Sequence, residues 1–376
     1  MTDATPKTQV AADGADDASR RYCLISPVRD EDRFMRRTLD SVIAQTERPA
    51  RWVIVDDGST DETAAVLREY EAAHDFIQIV TRPNGGKRRV GPGVVEAFYT
   101  GYEAVEAERF PFIGKLDMDL ELPPQYFELL LNGMQQNPRI GTCSGKPYYP
   151  APGNSEGALG GPLISEKCGD EMSVGMTKFY RRTCFEEIGG FVSQVMWDGI
   201  DCHRCRMHGW IACSWDHPKL RFLHLRPMGS SDRGVWEGRR RHGAGQWYMG
   251  TGLIYMTASA LYRMTRPPQI VGGAAMWWGY FRAMLSSKPQ YEDARFRKFL
   301  RGYQMSCLWR GKAGATSHVN EQQSPIWIRS HGPLQPPATR SKAEAFAARS
   351  EASADAPGAA AGALGTAAGL AGAEPV

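Results

Sequence analysis

The stretch Phe112-Ile-Gly-Lys-Leu-Asp-Met-Asp-Leu-Glu-Leu-Pro-Pro124 constrains the chain more than any other. An apolar run ends in two carboxylates, Asp117 and Asp119, and two prolines then stop any strand. In extended backbone, residues i and i+2 point to the same side. Asp117 and Asp119 would therefore converge at a strand end, with Met118 turned the other way. Two close carboxylates repel unless a positive charge stands between them. A hard divalent cation, which takes oxygen ligands and bridges substrate phosphates, suits such a pair. A solvated corner between strand and turn, where Asp is common, is the plain alternative for the pair taken alone.

The segments before this stretch supply a context. Tyr22–Ser26 is a short apolar run closed by Pro27, and Trp52–Val55 is β-branched and free of charge, as central parallel strands are. Phe76–Val80 is a third run of this kind. Between them, Arg33–Gln45 carries Phe34, Leu39, Val42 and Ile43 at helical spacing, and helices are expected after Asp61 and over 94–106. Strands alternating with helices predict an α/β domain with a mostly parallel central sheet and flanking helices. Ligands bind beyond the carboxyl ends of such strands, which is where Pro27–Asp30, Asp56–Asp61 and Asp117–Asp119 fall. In Asp56-Asp-Gly-Ser-Thr-Asp61, Asp57 is placed to accept hydrogen bonds from a base or ribose. Gly58 permits a tight turn, and Ser59, Thr60 or Asp61 can cap the next helix. The loop Arg82–Gly93 is rich in Gly and basic residues. It reads either as a phosphate cradle using backbone N–H groups and Lys87 or as a solvated loop. No G-x-G-x-x-G follows the first strand and no G-x-x-x-x-G-K-[ST] occurs, so dinucleotide and P-loop readings lack their fingerprints.

Taken in order, Ser26-Pro-Val-Arg-Asp-Glu31, the 56–61 motif, Asn84-Gly-Gly-Lys87 and Asp117-Met-Asp119 resemble family 2 glycosyltransferases of the GT-A fold. The similarity runs over roughly residues 22–242. It implies inverting transfer from a nucleotide-diphosphate sugar. It places Pro27, Arg29 and Glu31 along the nucleotide, Asp57 on the base and Lys87 among the donor ligands. Asp117 and Asp119 would hold the ribose and a Mg or Mn ion. The opening motif reads P-V-R-D-E where the family more often has P-x-Y-N-E. Farther on, Phe185-Glu-Glu-Ile-Gly-Gly-Phe191 resembles the family's G-G-F element, and Asp198 aligns with its catalytic Asp, with Trp197 where Glu is usual. Asp198 is thus expected to be the base that takes the proton from an acceptor hydroxyl. Asp201, three residues along and on a shared helical face, is its rival. His224 stands where many such enzymes place a metal or diphosphate ligand, an ordinary buried histidine being the alternative. The basic segment Arg239–Trp247 lacks the Gln-x-x-Arg-Trp pattern of processive synthases, which favours single transfer.

Composition sets the remaining bounds. The 376 residues are 42% hydrophobic, enough for a sizeable core in one or two domains. A net charge of +3 gives no reason to expect a nucleic-acid partner. The first twenty residues are polar, with no apolar h-region, so no secretory signal is expected and the eight cysteines read as reduced thiols of a cytoplasmic protein. Cys202 and Cys205 form a C-x-x-C near His203 and His208, but a structural zinc site wants four ligands, so buried thiols are the expectation. Thr142–Gly175 reads as a long substrate-covering or acceptor loop. Met249–Tyr262 and Ile270–Leu285 are apolar, aromatic and flanked by Arg and Lys. They suit either helices packed on the core or a peripheral contact with the cytoplasmic membrane face, and the latter would suit a lipid-linked acceptor. The expected organisation is a disordered 1–20, a GT-A domain over 21–245, a helical extension over 246–312, and a linker with a disordered Ala/Gly-rich tail over 313–376. The resemblance implies a nucleotide sugar as donor and a glycan or lipid-linked hydroxyl as acceptor. The other readings are a nucleotidyltransferase, which would want an activating Gly-rich loop after strand one, and a non-catalytic glycan-binding scaffold.

Overall fold

The computed structural model describes residues 18–83, 91–152, 154, 157, 159–226, 234–266 and 269–334. In chain order the elements are β1 (Tyr22–Val28), α1 (Met35–Ile43), β2 (Arg51–Asp56), α2 (Thr63–Ala73), β3 (Ile77–Thr81), α3 (Pro92–Ala104), β4 (Phe112–Leu116) and β5 (Leu120–Glu121). They continue with α4 (Tyr126–Gln136), β6 (Ile140–Ser144), β7 (Lys146–Pro150), β8 (Leu163–Ser165), β9 (Thr177–Arg181), α5 (Arg182–Glu187), α6 (Trp197–Met207), β10 (Ile211–Ser214) and β11 (Arg221–His224). Four helices close the described chain: α7 (Gly234–Met249), α8 (Leu253–Met264), α9 (Val271–Leu285) and α10 (Ala294–His331).

Among the described residues, seven strands form the central sheet in the order β10-β6-β9-β4-β1-β2-β3. All neighbours are parallel except β9, which runs antiparallel to both β4 and β6. The uncharged central strands follow from burial on both faces. In β2, Trp52 and Ile54 enter one core cluster while Val53 and Val55 enter the other. In β1, Tyr22 and Leu24 divide from Cys23 and Ile25 in the same way. Neither face meets water, so apolar and polar residues do not alternate. The expected strands and helices of the first half are therefore present, within a few residues of their expected ends.

Thr142–Gly175 departs from the expectation of a long loop. It contains β7 and β8, which join β5 and β11 in a second, four-stranded sheet ordered β5-β11-β7-β8. These strands are three to five residues long and bounded by Pro, too short for a periodic signal. The helical extension also differs at both ends. It opens at Gly234, and α10 runs on to His331 where a linker was expected from 313. Gly311, with φ of 69°, breaks α10, and beyond the break Ala315, Val319 and Trp327 are buried. Trp327 packs edge-on to Trp210 with ring centroids 5.7 Å apart, and Arg139 donates to the Asn320 carbonyl at 2.7 Å. The expected disordered ends, 1–17 and from 335 onward, lie outside the described residues. No helix among the described residues is long and apolar enough to cross a membrane.

α9 packs along α7 by close backbone approach. A Cβ on Gly243 would run into the Met276 carbonyl, and one on Gly279 into the carbonyl of Arg240. Gly279→Ala should therefore push the two helices apart at a cost of about 1–3 kcal/mol. The expected outcome is a Tm lowered by several degrees with unchanged helical content in circular dichroism. An unchanged Tm would mean that the helices do not approach this closely.

Candidate active site

The site assembles at the carboxyl ends of β1, β2 and β4. Val28 and Asp56 are partners in register, and the Asp57 amide donates to the Val28 carbonyl at 2.9 Å, which locks the first two strand ends together. The Asp56 carboxylate accepts from the Ser59 amide at 2.9 Å and so closes the turn. Asp57 instead meets Arg82 at 3.3 Å, and Arg82 also reaches Glu96 at 3.3 Å. The rest of the motif clasps the loop that follows β1. Ser59 Oγ accepts from the Asp30 amide at 3.1 Å, the Asp30 carboxylate from the Thr60 amide at 2.7 Å, and Thr63 Oγ1 from the Glu31 amide at 2.9 Å. Asp61 accepts from the Thr63 amide at 3.0 Å as α2 begins. Arg29 lies 3.6 Å from Asp30, whose φ of 53° is a left-handed conformation that Asp tolerates. Pro27, the next-to-last residue of β1, is half-buried beside this clasp.

The acidic pair sits just past β4. Met118 is buried in the core, so Asp117 and Asp119 are turned the other way, as the i, i+2 spacing requires. Asp119 is buried and accepts from Arg226 Nε and Nη2 at 3.0 and 2.8 Å, and Arg226 also donates to the buried Glu31 at 2.6 Å. His224 reaches the corner because β11 runs antiparallel to β5 with His224 opposite Leu120. Its Nε2 is 3.7 Å from Asp119, and its Nδ1 is 3.0 Å from Glu166. Burial alone would lower the His224 imidazole, but the bonds to Asp119 and Glu166 push it up to about 9. Burial likewise works to raise Asp119, and the hydrogen bond and charge of His224 together with Arg226 hold it down at about 2. For Asp117 burial prevails, with the Lys115 ammonium opposing and Asp119 adding to it, and the carboxyl is raised.

Lys115 links the acidic pair to the expected base. It forms an ion pair with Asp117 and donates to the Gly175 carbonyl at 2.9 Å. The Asp198 carboxylate lies 2.7 Å from where a Cβ on Gly175 would stand, so only glycine admits it there. Asp198 opens α6, half-buried in its first turn, after Met196 at a left-handed φ of 73°. Strained backbone of this kind persists only where its surroundings enforce it. Trp197 lies under two ammonium groups, Lys115 at 5.3 Å and Lys178 at 5.7 Å from the ring centroid. An aromatic face answers these two cations where a glutamate was expected.

Asp201 does not share this setting. It is 1% exposed, sits 2.6 Å from the buried Lys178 and accepts from the Tyr180 hydroxyl. Burial would lower the Lys178 ammonium, but Asp201 reverses this and keeps it protonated. Asp201 is thus enclosed as the counter-charge of Lys178, a setting unlike that of Asp198. Lys87 lies outside the described residues. Cys202 and Cys205 are buried with different partners, Cys202 against Ser173 and Lys178, Cys205 3.5 Å from Cys184. Arg226, Lys115, Lys178 and Glu166 were not singled out in the sequence. For Lys115 a signal existed, a charge inside an otherwise apolar strand.

Asp117, Asp119 and His224 offer two hard carboxylates and an imidazole. Among the described residues no three His, Cys, Asp or Glu side chains are grouped to hold a metal. The corner thus fits a cation completed by substrate phosphates rather than a full protein cage.

The central sheet is mostly parallel, with acidic residues at the carboxyl ends of its strands. Residues 23–189 match the model described as Glycosyl transferase family 2. Chondroitin synthase of Pasteurella multocida (strain Pm70) is 33% identical over 98 residues, 26% of this chain and 9% of that protein. The poly-beta-1,6-N-acetyl-D-glucosamine synthase of Staphylococcus epidermidis is 25% identical over 119 residues, 31% of this chain and 26% of that one. Among solved structures, the mannosyltransferase PcManGT from Pyrobaculum calidifontis, in complex with GDP-Man and Mn2+, aligns at 18% identity and a TM-score of 0.43. That alignment covers 81% of this chain and 87% of that one. The similarity to the two synthases thus spans about a quarter of their length or less.

Arg226 bridges Glu31 and Asp119, so its charge competes there with any cation drawn to Asp119. Arg226→Gln should leave the two carboxylates facing each other without counter-charge. The free protein is then expected to bind Mn2+ at least ~tenfold more tightly, about 1.4 kcal/mol, in titrations followed by electron paramagnetic resonance. Unchanged affinity would exclude that competition.

Proposed function

We propose that the chain is an inverting glycosyltransferase. It moves a sugar from a nucleotide-diphosphate donor to a hydroxyl of a glycan or lipid-linked acceptor, in polysaccharide or cell-envelope synthesis. The observation that carries the reading is the continuous rim from Asp57 through Asp119 and Asp117 to Asp198, beside the family 2 match over residues 23–189. Pro27, Arg29 and Glu31 line the nucleotide and Asp57 accepts from its base. Asp117 holds the ribose, and Lys87 counts among the donor ligands. Asp119, with Asp117 and His224, would hold Mg or Mn, which when bound supplies positive charge for the departing diphosphate.

The acceptor oxygen attacks the anomeric carbon from the face opposite the diphosphate. The new C–O bond forms as the bond to the diphosphate oxygen breaks with its electron pair. Asp198 takes the acceptor proton, and the configuration inverts in one displacement. Arg226, held at Asp119, would add positive charge beside the departing diphosphate. The missing Gln-x-x-Arg-Trp pattern supports one transfer per encounter.

Two substitutions three residues apart separate chemistry from folding. Asp198→Asn should keep donor affinity and the wild-type Tm while transfer falls by about 10²–10⁴-fold. Asp201→Asn should leave Lys178 buried without its partner and destabilise the fold by about 3–5 kcal/mol, read as a lowered Tm. Both are compared by calorimetry and by turnover of a nucleotide-sugar panel with Mn2+. Full transfer by the Asp198 variant would exclude it as the base, and no metal-responsive nucleotide binding by the wild type would overturn the reading.

A further inference from the structure

The α8–α9 hairpin carries an apolar surface that the rest of the chain leaves uncovered. On α8, Met256 and Ala260 face inward, while Ile254, Leu261 and Tyr262 face out, Ile254 at 66% exposure. On α9, Met276 and Tyr280 are buried, and Trp278 and Leu285 are exposed at 49% and 74%. Ile270, in the turn between the helices, is equally open.

The charge around this surface has one sign. From Gly238 to Tyr291 the sequence holds seven Arg and Lys residues and no Asp or Glu. Arg240 is spoken for by Glu237. Arg239, Arg263 and Arg266 gather where α7 meets the hairpin turn, with no carboxylate in ion-pair reach among the described residues. Enclosure first, then the charges of Arg239 and Arg266, lower the Arg263 guanidinium, and enclosure with the charges of Arg263 and Arg239 lowers His242 to about 4. Like charges held this close await an anion. Exposed Arg282 lies between Trp278 and Leu285 on the outer face of α9.

We propose that the α8–α9 hairpin is a docking surface for a bilayer containing anionic phospholipid, with the apolar face in the interface and the arginines on lipid phosphates. Both helices are too short to span: fifteen residues in α9 rise about 22 Å against a hydrocarbon core of about 30 Å. Aromatic and aliphatic residues facing outward beside basic flanks are the composition of a helix that lies in the interface. A second copy of the chain is the poorer occupant. A two-fold contact would set this acid-free surface against itself and bring guanidinium groups together. The surface stands without the transferase reading. Only its use in meeting a lipid-linked acceptor rests on that reading, and α7 makes that use physical. Gly245 of α7 packs on Met196, two residues before Asp198, while the opposite part of α7 carries α9.

The test is co-sedimentation of the full chain with phosphatidylglycerol-containing vesicles and with vesicles of phosphatidylcholine alone. The wild type should bind the first strongly and the second at least ~tenfold less. Ile254→Ser combined with Trp278→Ser and Leu285→Ser, and separately Arg263→Gln with Arg266→Gln, should each reduce binding at least ~tenfold. These residues are outside the donor site, so Tm and donor hydrolysis in solution should be unchanged, and they report on the transferase reading separately. No vesicle binding by the wild type, or binding that both variants retain, overturns the proposal. A wild-type dimer that the triple variant converts to monomer while vesicle binding persists overturns it equally.

Discussion

The structure depends on the neutralisation of an acidic rim by cations that the fold itself supplies. Glu31, Asp57, Asp117, Asp119 and Asp201 are drawn toward the ends of neighbouring strands and the helix beside them. Unit charges 4 Å apart at an effective dielectric near 20 interact by about 4 kcal/mol, so such a gathering would not stay folded unopposed. Each acid meets a partner: Arg226 bridges Glu31 and Asp119, Arg82 faces Asp57, Lys115 faces Asp117 and Lys178 faces Asp201. Three of these cations stand on central-sheet strands or just past them. The sheet that brings the acids together therefore also brings what makes them tolerable.

The antiparallel strand β9 is the structural means. It inserts between β4 and β6 with Lys115 opposite Lys178 in register. Two ammonium groups on adjacent strands would repel, and they are separated in function by their partners, one drawn to Asp117 and the other to Asp201. Trp197 then covers both with its ring and is itself fixed by Phe191, whose ring centroid is 4.5 Å away. A glutamate in its place would compete with Asp117 and Asp201 for these cations. Tryptophan shields them without competing, and that leaves Asp198 as the half-buried acid of the first turn of α6.

Legibility in the sequence followed the same physics. β1 to β4 and their helices could be read because burial on both faces writes an unbroken apolar run, and the acids that end those runs could be read with them. β7 and β8 could not, because strands of three to five residues between prolines carry no period. The continuation of α10 was signalled by Ala315, Val319 and Trp327, but Gly311 and a polar surround hid their common face. Asp198 and Asp201 are alike as letters. Only Lys178, in a strand on the far side of the G-G-F element, distinguishes the enclosed one from the open one. Arg226 follows a candidate ligand by two residues and looks like any surface arginine until β11 is placed against β5.

The site and the helical extension are mechanically one piece, and this bears on how an acceptor can approach. Met196 is held at positive φ immediately before Trp197 and Asp198, and its side chain packs where Gly245 leaves room on α7. Ile200, farther along α6, shares a core with Met249 of α7 and with Phe296 and Leu300 of α10. α7 in turn meets α9 at glycines that bring backbone against backbone. Close-packed contacts of this kind transmit displacement rather than absorb it. A force that seats the hairpin is therefore felt at the turn that aims Asp198.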